Sequence, residues 1–339
     1  MKIGMVTPWK VRCGIATYSD ALSKALVKEG AEVYIIRHTR FGQRTDETIR
    51  HLTSKVPPDI DLIHIQHEYG LFYSGSDNNA FNALLYQGMR EYGKPIVTTM
   101  HSVGNWLTDV LIRNVSDEVI THNAFCKRRF AFDSEVIPHG CDLVEPMNRE
   151  EAKMALGIPK KIPIVGYVGF ISPYKGLEVL IEAMMKVKNV GVFIGGGYHT
   201  TQESTEYINM LKENSEKMVP GRIQWYGYVP EEKLNTVYSA IDVFVYPSRF
   251  ATESGALLTA MGHGKAMIAN DIAPFREKQK EGAIWTYKNI KNLRTKIRKL
   301  LKNEEERENL EKEAREYAKR NNWENIARKH IELYEKLTQ

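Results

Sequence analysis

Two short segments of this 339-residue chain carry the residue types needed to hold an anion. The first is Pro247-Ser248-Arg249-Phe250-Ala251-Thr252-Glu253-Ser254-Gly255-Ala256, which follows the apolar run Ile241–Tyr246 and leads into a helix-like stretch. A helix start exposes backbone N–H groups without intrahelical acceptors and carries a partial positive charge, so it can bind phosphate. Small residues at Ser254 and Gly255 let a ligand approach the backbone closely. Arg249 offers a planar fork to phosphate oxygens, and Glu253 is the one acid of the segment. The second segment, Lys175-Gly176, also stands ahead of a helical pattern and adds a point charge.

A second group of candidates lies in the first half of the chain. His67, Glu68, His101, His122, Asn123 and His139 all fall just past the ends of apolar runs. In an open parallel sheet, ligands sit beyond the carboxyl ends of the strands. His101 is therefore expected to hydrogen-bond a ligand hydroxyl, or to shield developing positive charge while neutral. His67, Glu68 and His122 are candidates for orienting a second substrate; the alternative for the histidines is core or helix-start packing. Gly14, at the first strand-to-helix turn, would let the chain pass near a diphosphate. His64 and His67 alternate faces in a regular strand, which argues against a metal set. Asp59-Ile60-Asp61 resembles a metal-binding pair but precedes its strand and so falls at the wrong edge. Gly195-Gly196-Gly197 lacks the frame of a dinucleotide loop and reads as a close-approach loop.

The elements that must position these residues alternate along the chain. The first-half strands are expected at 2–7, 32–37, 62–66, 96–100, 118–121 and 134–137, with a helix over 16–29 closed by Gly30. Periodicity breaks near 141–148. A second series follows at 164–168, 192–194, 223–225, 243–246 and 266–269, and the sequence from Lys288 onward reads as nearly all helix. Strands alternating with helical patterns imply parallel sheets wound through βα units. The expected domains are 1–144, with a returning helix 322–339, and 145–321.

Composition is that of an ordinary α/β protein, 42% hydrophobic and 26% charged. A net charge of +5 is too small to imply nucleic acid by itself. No run approaches the ~20 apolar residues of a membrane span, and the start of the chain enters a strand directly rather than reading as a secretion signal. Three scattered cysteines argue against a disulfide framework or a zinc site, and the expected location is cytoplasmic. Lys127-Arg128-Arg129 with Phe125, Phe130 and Phe132 would suit peripheral contact with an anionic membrane face; the alternative is a solvated helix end.

These pieces, in this order, resemble the family-4 retaining glycosyltransferases of GT-B fold. The resemblance rests on Cys13-Gly14-Ile15-Ala16-Thr17-Tyr18, Gln66-His67-Glu68, Thr98-Thr99-Met100-His101, and Ile137-Pro138-His139-Gly140-Cys141-Asp142. In the second half it rests on Gly166–Gly169 with Lys175-Gly176, on Tyr226-Gly227-Tyr228-Val229, and on Ala260-Met261-Gly262-His263-Gly264-Lys265-Ala266. It implies two Rossmann-like domains facing a cleft, with a C-terminal helix crossing back to the first. It further implies transfer of a hexose from a UDP- or GDP-sugar to a glycan, lipid-linked or small-molecule acceptor, with no cofactor and no metal.

On this reading His101, Lys175 and Glu253 are the catalytic candidates. Gly14, Lys175, Tyr228, Val229, Arg249, Ser254, Gly255 and Ala256 bind the donor, and Tyr228-Val229 contact its base. His67, Glu68 and His122 bind the acceptor. Two positions depart from the family pattern. Phe170 stands where an arginine is usual ahead of the Lys-Gly pair, and Arg249 is the expected replacement. Ala251 and Thr259 stand where the family carries paired glutamates. A phosphorylase, an epimerase or a catalytically weak nucleotide-binding scaffold are the competing functions.

Overall fold

The computed structural model describes residues 1–11, 13–38, 52–71, 78–197 and 202–339. The chain divides into two compact units, residues 1–140 with 321–339, and residues 141–320.

The first unit is a six-stranded sheet of order β2-β1-β3-β4-β5-β6, with every neighbouring pair parallel. Its strands are β1 (Lys2–Pro8), β2 (Glu32–His38), β3 (Leu62–His67), β4 (Ile96–Met100), β5 (Glu118–Thr121) and β6 (Glu135–Val136). β3 and β4 are buried along their whole length, because helices cover both faces of such a sheet. That is why they read as unbroken runs rather than as alternation. The intervening helices are α1 (Gly14–Lys28), α2 (Asn78–Arg90), α3 (Trp106–Val115) and α4 (Ala124–Phe130).

The second unit repeats the plan with order β12-β11-β10-β7-β8-β9, again all parallel. Its strands are β7 (Ile164–Val168), β8 (Gly191–Gly195), β9 (Ile223–Gly227), β10 (Val243–Tyr246), β11 (Met267–Asn270) and β12 (Trp285–Tyr287). Its helices are α5 (Arg149–Ala155), α6 (Leu177–Met184), α7 (Gln202–Met218), α8 (Glu231–Ala240), α9 (Gly255–Gly262), α10 (Ala273–Lys280), α11 (Ile290–Lys302) and α12 (Glu304–Arg320). The sequence reading missed β12. It is an edge strand of three residues, too short to show a period.

The last helix, α13 (Trp323–Thr338), belongs to the first unit. Its Ile326, Ala327 and Tyr334 share a core with Tyr18, Leu22 and Leu26 of α1 and with Ile3 and Met5 of β1. Gly140, the last residue of the unit's first stretch, accommodates the Trp323 indole. A Cβ there would lie 2.3 Å from the ring, so no larger residue fits without movement.

The basic cluster 127–129 occupies the last turn of α4, where cations complement the helix dipole. Its aromatic companions turn inward. Phe130 is fully buried and meets Phe132 edge-on at 5.5 Å, and Phe125 and Phe132 pack against the same core. Of the apolar half of the expected membrane-facing surface, Phe130 is therefore part of the protein interior, and Phe125 and Phe132 are partly buried against it. Among the described residues no helix is long and apolar enough to cross a membrane.

Candidate functional site

In the second unit the strand order reverses between β7 and β10, which opens a crevice at their carboxyl ends. Four loops meet there, and glycines set how closely they pack. The Gly169 amide donates to the Gly195 carbonyl (3.0 Å), the Ile171 amide to Gly197 (3.1 Å) and the Gly196 amide to Gly227 (2.6 Å). Gly196 has φ +150°, and a Cβ on it would lie 1.8 Å from the Gly169 carbonyl oxygen. The Gly195–Gly197 run is thus a close-approach loop whose partner is the neighbouring backbone. On the other side the Arg249 amide donates to the Tyr174 carbonyl (2.8 Å), and the Asn270 side-chain amide to Ser248 (3.1 Å). Gly176, at φ +65°, packs directly against the Pro247 carbonyl.

The polar groups follow from this frame. Ser254 caps α9, its hydroxyl accepting from the Leu257 amide at 3.4 Å. Helix geometry leaves the first-turn amides of Gly255 and Ala256 without intrahelical acceptors. Tyr246 donates to the Ala256 carbonyl (2.8 Å) and Tyr167 to the Phe170 carbonyl (2.7 Å), so buried phenols brace both loops. Burial holds both hydroxyls well above the usual tyrosine range, and they remain protonated donors. Lys175, half-buried, places Nζ 4.7 Å over the Tyr174 ring and has no acidic partner among the described residues. A cation without a carboxylate, beside a helix N-terminus, is what a diphosphate requires. Tyr228 is 52% exposed at the tip of the loop after β9, whereas Val229 beneath it is buried. A base contact from Val229 would therefore be made by its backbone.

Two expectations need correction. Glu253 is no open carboxylate. Its Oε2 accepts from Lys278 Nζ at 2.6 Å, its Oε1 accepts from the Ser254 amide at 2.8 Å, and the two side chains are 6% and 3% exposed. Burial pulls the Lys278 pKa down, but Glu253 and Tyr317 outweigh it and raise it above the usual lysine range. The pair is a buried strut under the loop. Arg249 is also engaged: its guanidinium pairs with Glu178 and donates to the Pro173 carbonyl at 2.9 Å, clamping the Lys175 turn. The Thr259 hydroxyl, at the family's usual glutamate position, donates back to the Gly255 carbonyl at 3.0 Å.

In the first unit the strand-end histidines form a network around Tyr18. The Tyr18 ring meets His101 at 4.8 Å, His139 at 4.9 Å and Trp323 at 5.3 Å, each edge-on. His101 is partly exposed, with Nε2 2.9 Å from the Gln66 Oε1 and Nδ1 3.4 Å from His122 Nε2. A carbonyl only accepts, so His122 donates from Nδ1 to Ile137 (3.2 Å). The Gln66 Oε1 likewise only accepts, so the neutral His101 carries its proton on Nε2 and donates it to Gln66. Burial, then His122 and His139, hold the His101 pKa well below the usual range, so the ring is neutral. Both nitrogens face protein groups, which leaves the ring face and the backbone for a ligand.

His67 and His122 are not placed to touch an acceptor with their rings. His67 is fully buried, with Nδ1 3.4 Å from the Tyr86 hydroxyl, and burial lowers its pKa to about 3. His122 is 3% exposed and lies under Tyr18. Glu68 is partly exposed and accepts from the Ser102 hydroxyl at 3.3 Å, the one acceptor candidate that reaches the surface. Gly14 is exposed at the start of α1, and a Cβ there would meet nothing within 4 Å. Spacing could not have revealed Gln66, Tyr18, Glu178 or Lys278, because each acts through a partner distant in the sequence.

Two all-parallel α/β units, each with its loops gathered at the carboxyl edge of its sheet, define a GT-B protein. The chain belongs to the family described as glycosyl transferases group 1, whose family model matches residues 148–317, inside the second unit. Sulfoquinovosyl transferase SQD2 of Arabidopsis thaliana is 31% identical over 179 residues, 50% of this chain and 32% of that protein. The chain's match spans less than half the length of the first curated relatives. Among solved structures, sucrose-phosphate synthase from Thermosynechococcus elongatus superposes with a TM-score of 0.83 at 20% identity, covering 99% of each chain. Anabaena Alr3699/HepE in complex with UDP-glucose gives 0.80 at 16% identity, covering 99% of this chain and 100% of that one.

Proposed function

We propose that the protein transfers a hexose from a nucleoside-diphosphate sugar to an acceptor with retention at the anomeric carbon, in the manner of family 4. The observation that carries this is the Lys175 ammonium, without an acidic partner among the described residues, on a loop interlocked with the N-terminal turn of α9. A leaving diphosphate concentrates negative charge there, and pre-placed donors stabilise it as it departs. The UDP-glucose complex of a protein of the same fold supports a nucleotide sugar as donor. Retention by double displacement needs a carboxylate nucleophile near the sugar, and the acid of the β10 loop, Glu253, is sequestered by Lys278. The engaged Glu253 supports same-face attack, with the diphosphate helping to take the acceptor proton. On this reading Glu68 of the first unit serves acceptor binding, and the protein works in the cytoplasm without a resident cofactor.

Thr259 gives a second reading some support. Its hydroxyl bonds its own helix, so the family's usual glutamate contact is missing, as in a weakly active nucleotide-binding scaffold. A thermal-shift panel of UDP, GDP and ADP with their glucose conjugates tests binding, because a ligand selective for the native state raises apparent stability. Proton NMR of the sugar product then tests retention. No shift with any nucleotide rejects the donor site. Binding without turnover or donor hydrolysis selects the scaffold, and an inverted anomer rejects same-face attack.

A further inference from the structure

A pocket of about 590 Å³ opens at the carboxyl ends of β11 and β12, on the edge of the second unit's sheet away from β7. Its walls come from the end of β11, from α10, from β12 and from the first two turns of α11. Nothing in the reading above uses it. Its size is in the range of small-molecule sites, with room for more than a lone phosphate.

The charges in it do not balance. Arg276, Lys288 and Lys296 line it against a single carboxylate, Asp271. That carboxylate already serves Arg276 at 3.7 Å and competes with the Gln279 oxygen for the single Thr286 hydroxyl proton, at 3.2 Å against 2.8 Å. Lys296 donates to the Thr286 carbonyl at 2.5 Å, and Lys288 has no ion pair among the described residues. The thirteen-residue helix α11 begins here under an Asn289 cap, with no acid in its first turn. Helix starts favour anions and disfavour cations, so gathering lysines at this one is unfavourable while the pocket lacks a negative group. The Lys296 ammonium feels this directly. Burial lowers its pKa and Lys288 and Lys299 lower it further, while Asp271 alone among its charged neighbours raises it.

The carboxamides that line the pocket are held through their oxygens. The Gln279 oxygen accepts from both the Thr286 amide (2.7 Å) and its hydroxyl (2.8 Å). The Asn292 oxygen accepts from the Lys288 amide at 3.3 Å. Each side chain is thereby oriented with an NH₂ group that has no acceptor among the described residues, the complement of hydroxyl and phosphoryl oxygens.

We infer that this pocket is a second anion site, apart from the Lys175 loop, which binds a phosphorylated sugar or polyol. The cations hold the phosphoryl group and the carboxamides hold the hydroxyls. The probes are inorganic phosphate, glucose 6-phosphate and unphosphorylated glucose, titrated calorimetrically into the full chain at low salt. Glucose 6-phosphate is expected to bind best, phosphate more weakly and glucose not at all. Lys288→Ala and Arg276→Ala alter exposed side chains, so folding should persist, and each should weaken glucose 6-phosphate by about tenfold, the loss of one charge-assisted contact. Lys175→Ala should change it by less than about twofold, since Lys175 does not line the pocket. Binding that survives Lys288→Ala and Arg276→Ala but disappears with Lys175→Ala places the anion on the β7 loop and overturns the inference. So does a protein that takes up neither phosphate nor glucose 6-phosphate. UDP binding in the same variants tests the donor site separately, so each reading can fail alone.

Discussion

The phenol oxygen of Tyr334, in the last helix, lies 2.6 Å from Nδ1 of His64, in the middle of β3. The other nitrogen of that ring lies 2.8 Å from the Thr99 hydroxyl of β4. Two residues further along β3 stands Gln66, which meets His101. A continuous set of buried polar contacts thus joins the returning helix to the strand-end imidazole of the first unit. Tyr334→Phe keeps the packing and leaves an imidazole nitrogen unmatched, so it should cost about 1–3 kcal/mol in denaturant unfolding. A loss confined to α13, seen as faster amide exchange there alone, would show that the contact anchors the helix and nothing beyond it.

The same burial sets a pH dependence. Burial lowers the His67 pKa from 6.5 to about 3 and, with a smaller opposing effect from the Ile326 carbonyl, that of His330 to about 4. It also holds His64 and His101 well below the usual range. A depressed folded-state pKa means that the unfolded chain binds more protons between the two values. These histidines therefore contribute stability that is full above their unfolded value of 6.5 and is lost as pH falls toward 4 and 3. The unfolding midpoint should be nearly level above neutrality and drop steeply below it. His330→Asn should shallow that drop, and an unchanged slope would mean that the ring gains its proton without unfolding.

Glu253 and Lys278 form the buried ion pair beneath the β10 loop. Removing one partner leaves the other charged and desolvated, so Glu253→Ala should destabilise the second unit by about 3–5 kcal/mol. Replacing both, as Glu253→Leu with Lys278→Met, should recover most of the loss. Chemical denaturation separates the cases: a double variant as unstable as the single one would place the cost in the Ser254 amide, which also loses its acceptor.

Much of this architecture was legible because parallel strands buried on both faces leave unbroken apolar runs. β4, β5, β7 and β10 have the ends their sequence pattern indicates. The helix start at Ser254 and the turn at Gly176 were equally readable, since capping and positive φ are local demands. What spacing could not supply was the partner of each charge. Glu253 meets Lys278 and Arg249 meets Glu178 across separations of 25 and 71 residues, through loops whose approach is set by backbone contacts. His67 shows the same limit. Its place at a strand end was clear, but the strand's pleat turns its ring into the core.

Lys175 and Arg249 stand on adjacent loops and should respond differently to substitution. Lys175 has no acid partner among the described residues, so its charge is available to a diphosphate. Lys175→Ala should weaken UDP or GDP by about 1.5–3 kcal/mol, the worth of a hydrogen bond to a charged group, and leave nucleoside binding nearly intact. Arg249 already serves Glu178 and the Pro173 carbonyl. The pair is exposed, 57% and 36% at its side chains, so Arg249→Ala should change stability by only about 0–1 kcal/mol. Its effect on nucleotide binding should be smaller than that of Lys175→Ala and should act through a looser turn, since Arg249 braces the residues on either side of the lysine. Glu178→Gln discriminates the roles. If Arg249 only braces the turn, Glu178→Gln weakens UDP as Arg249→Ala does. If Arg249 is released to meet the phosphates, Glu178→Gln tightens UDP instead, and the guanidinium then supplies the charge that Phe170 does not.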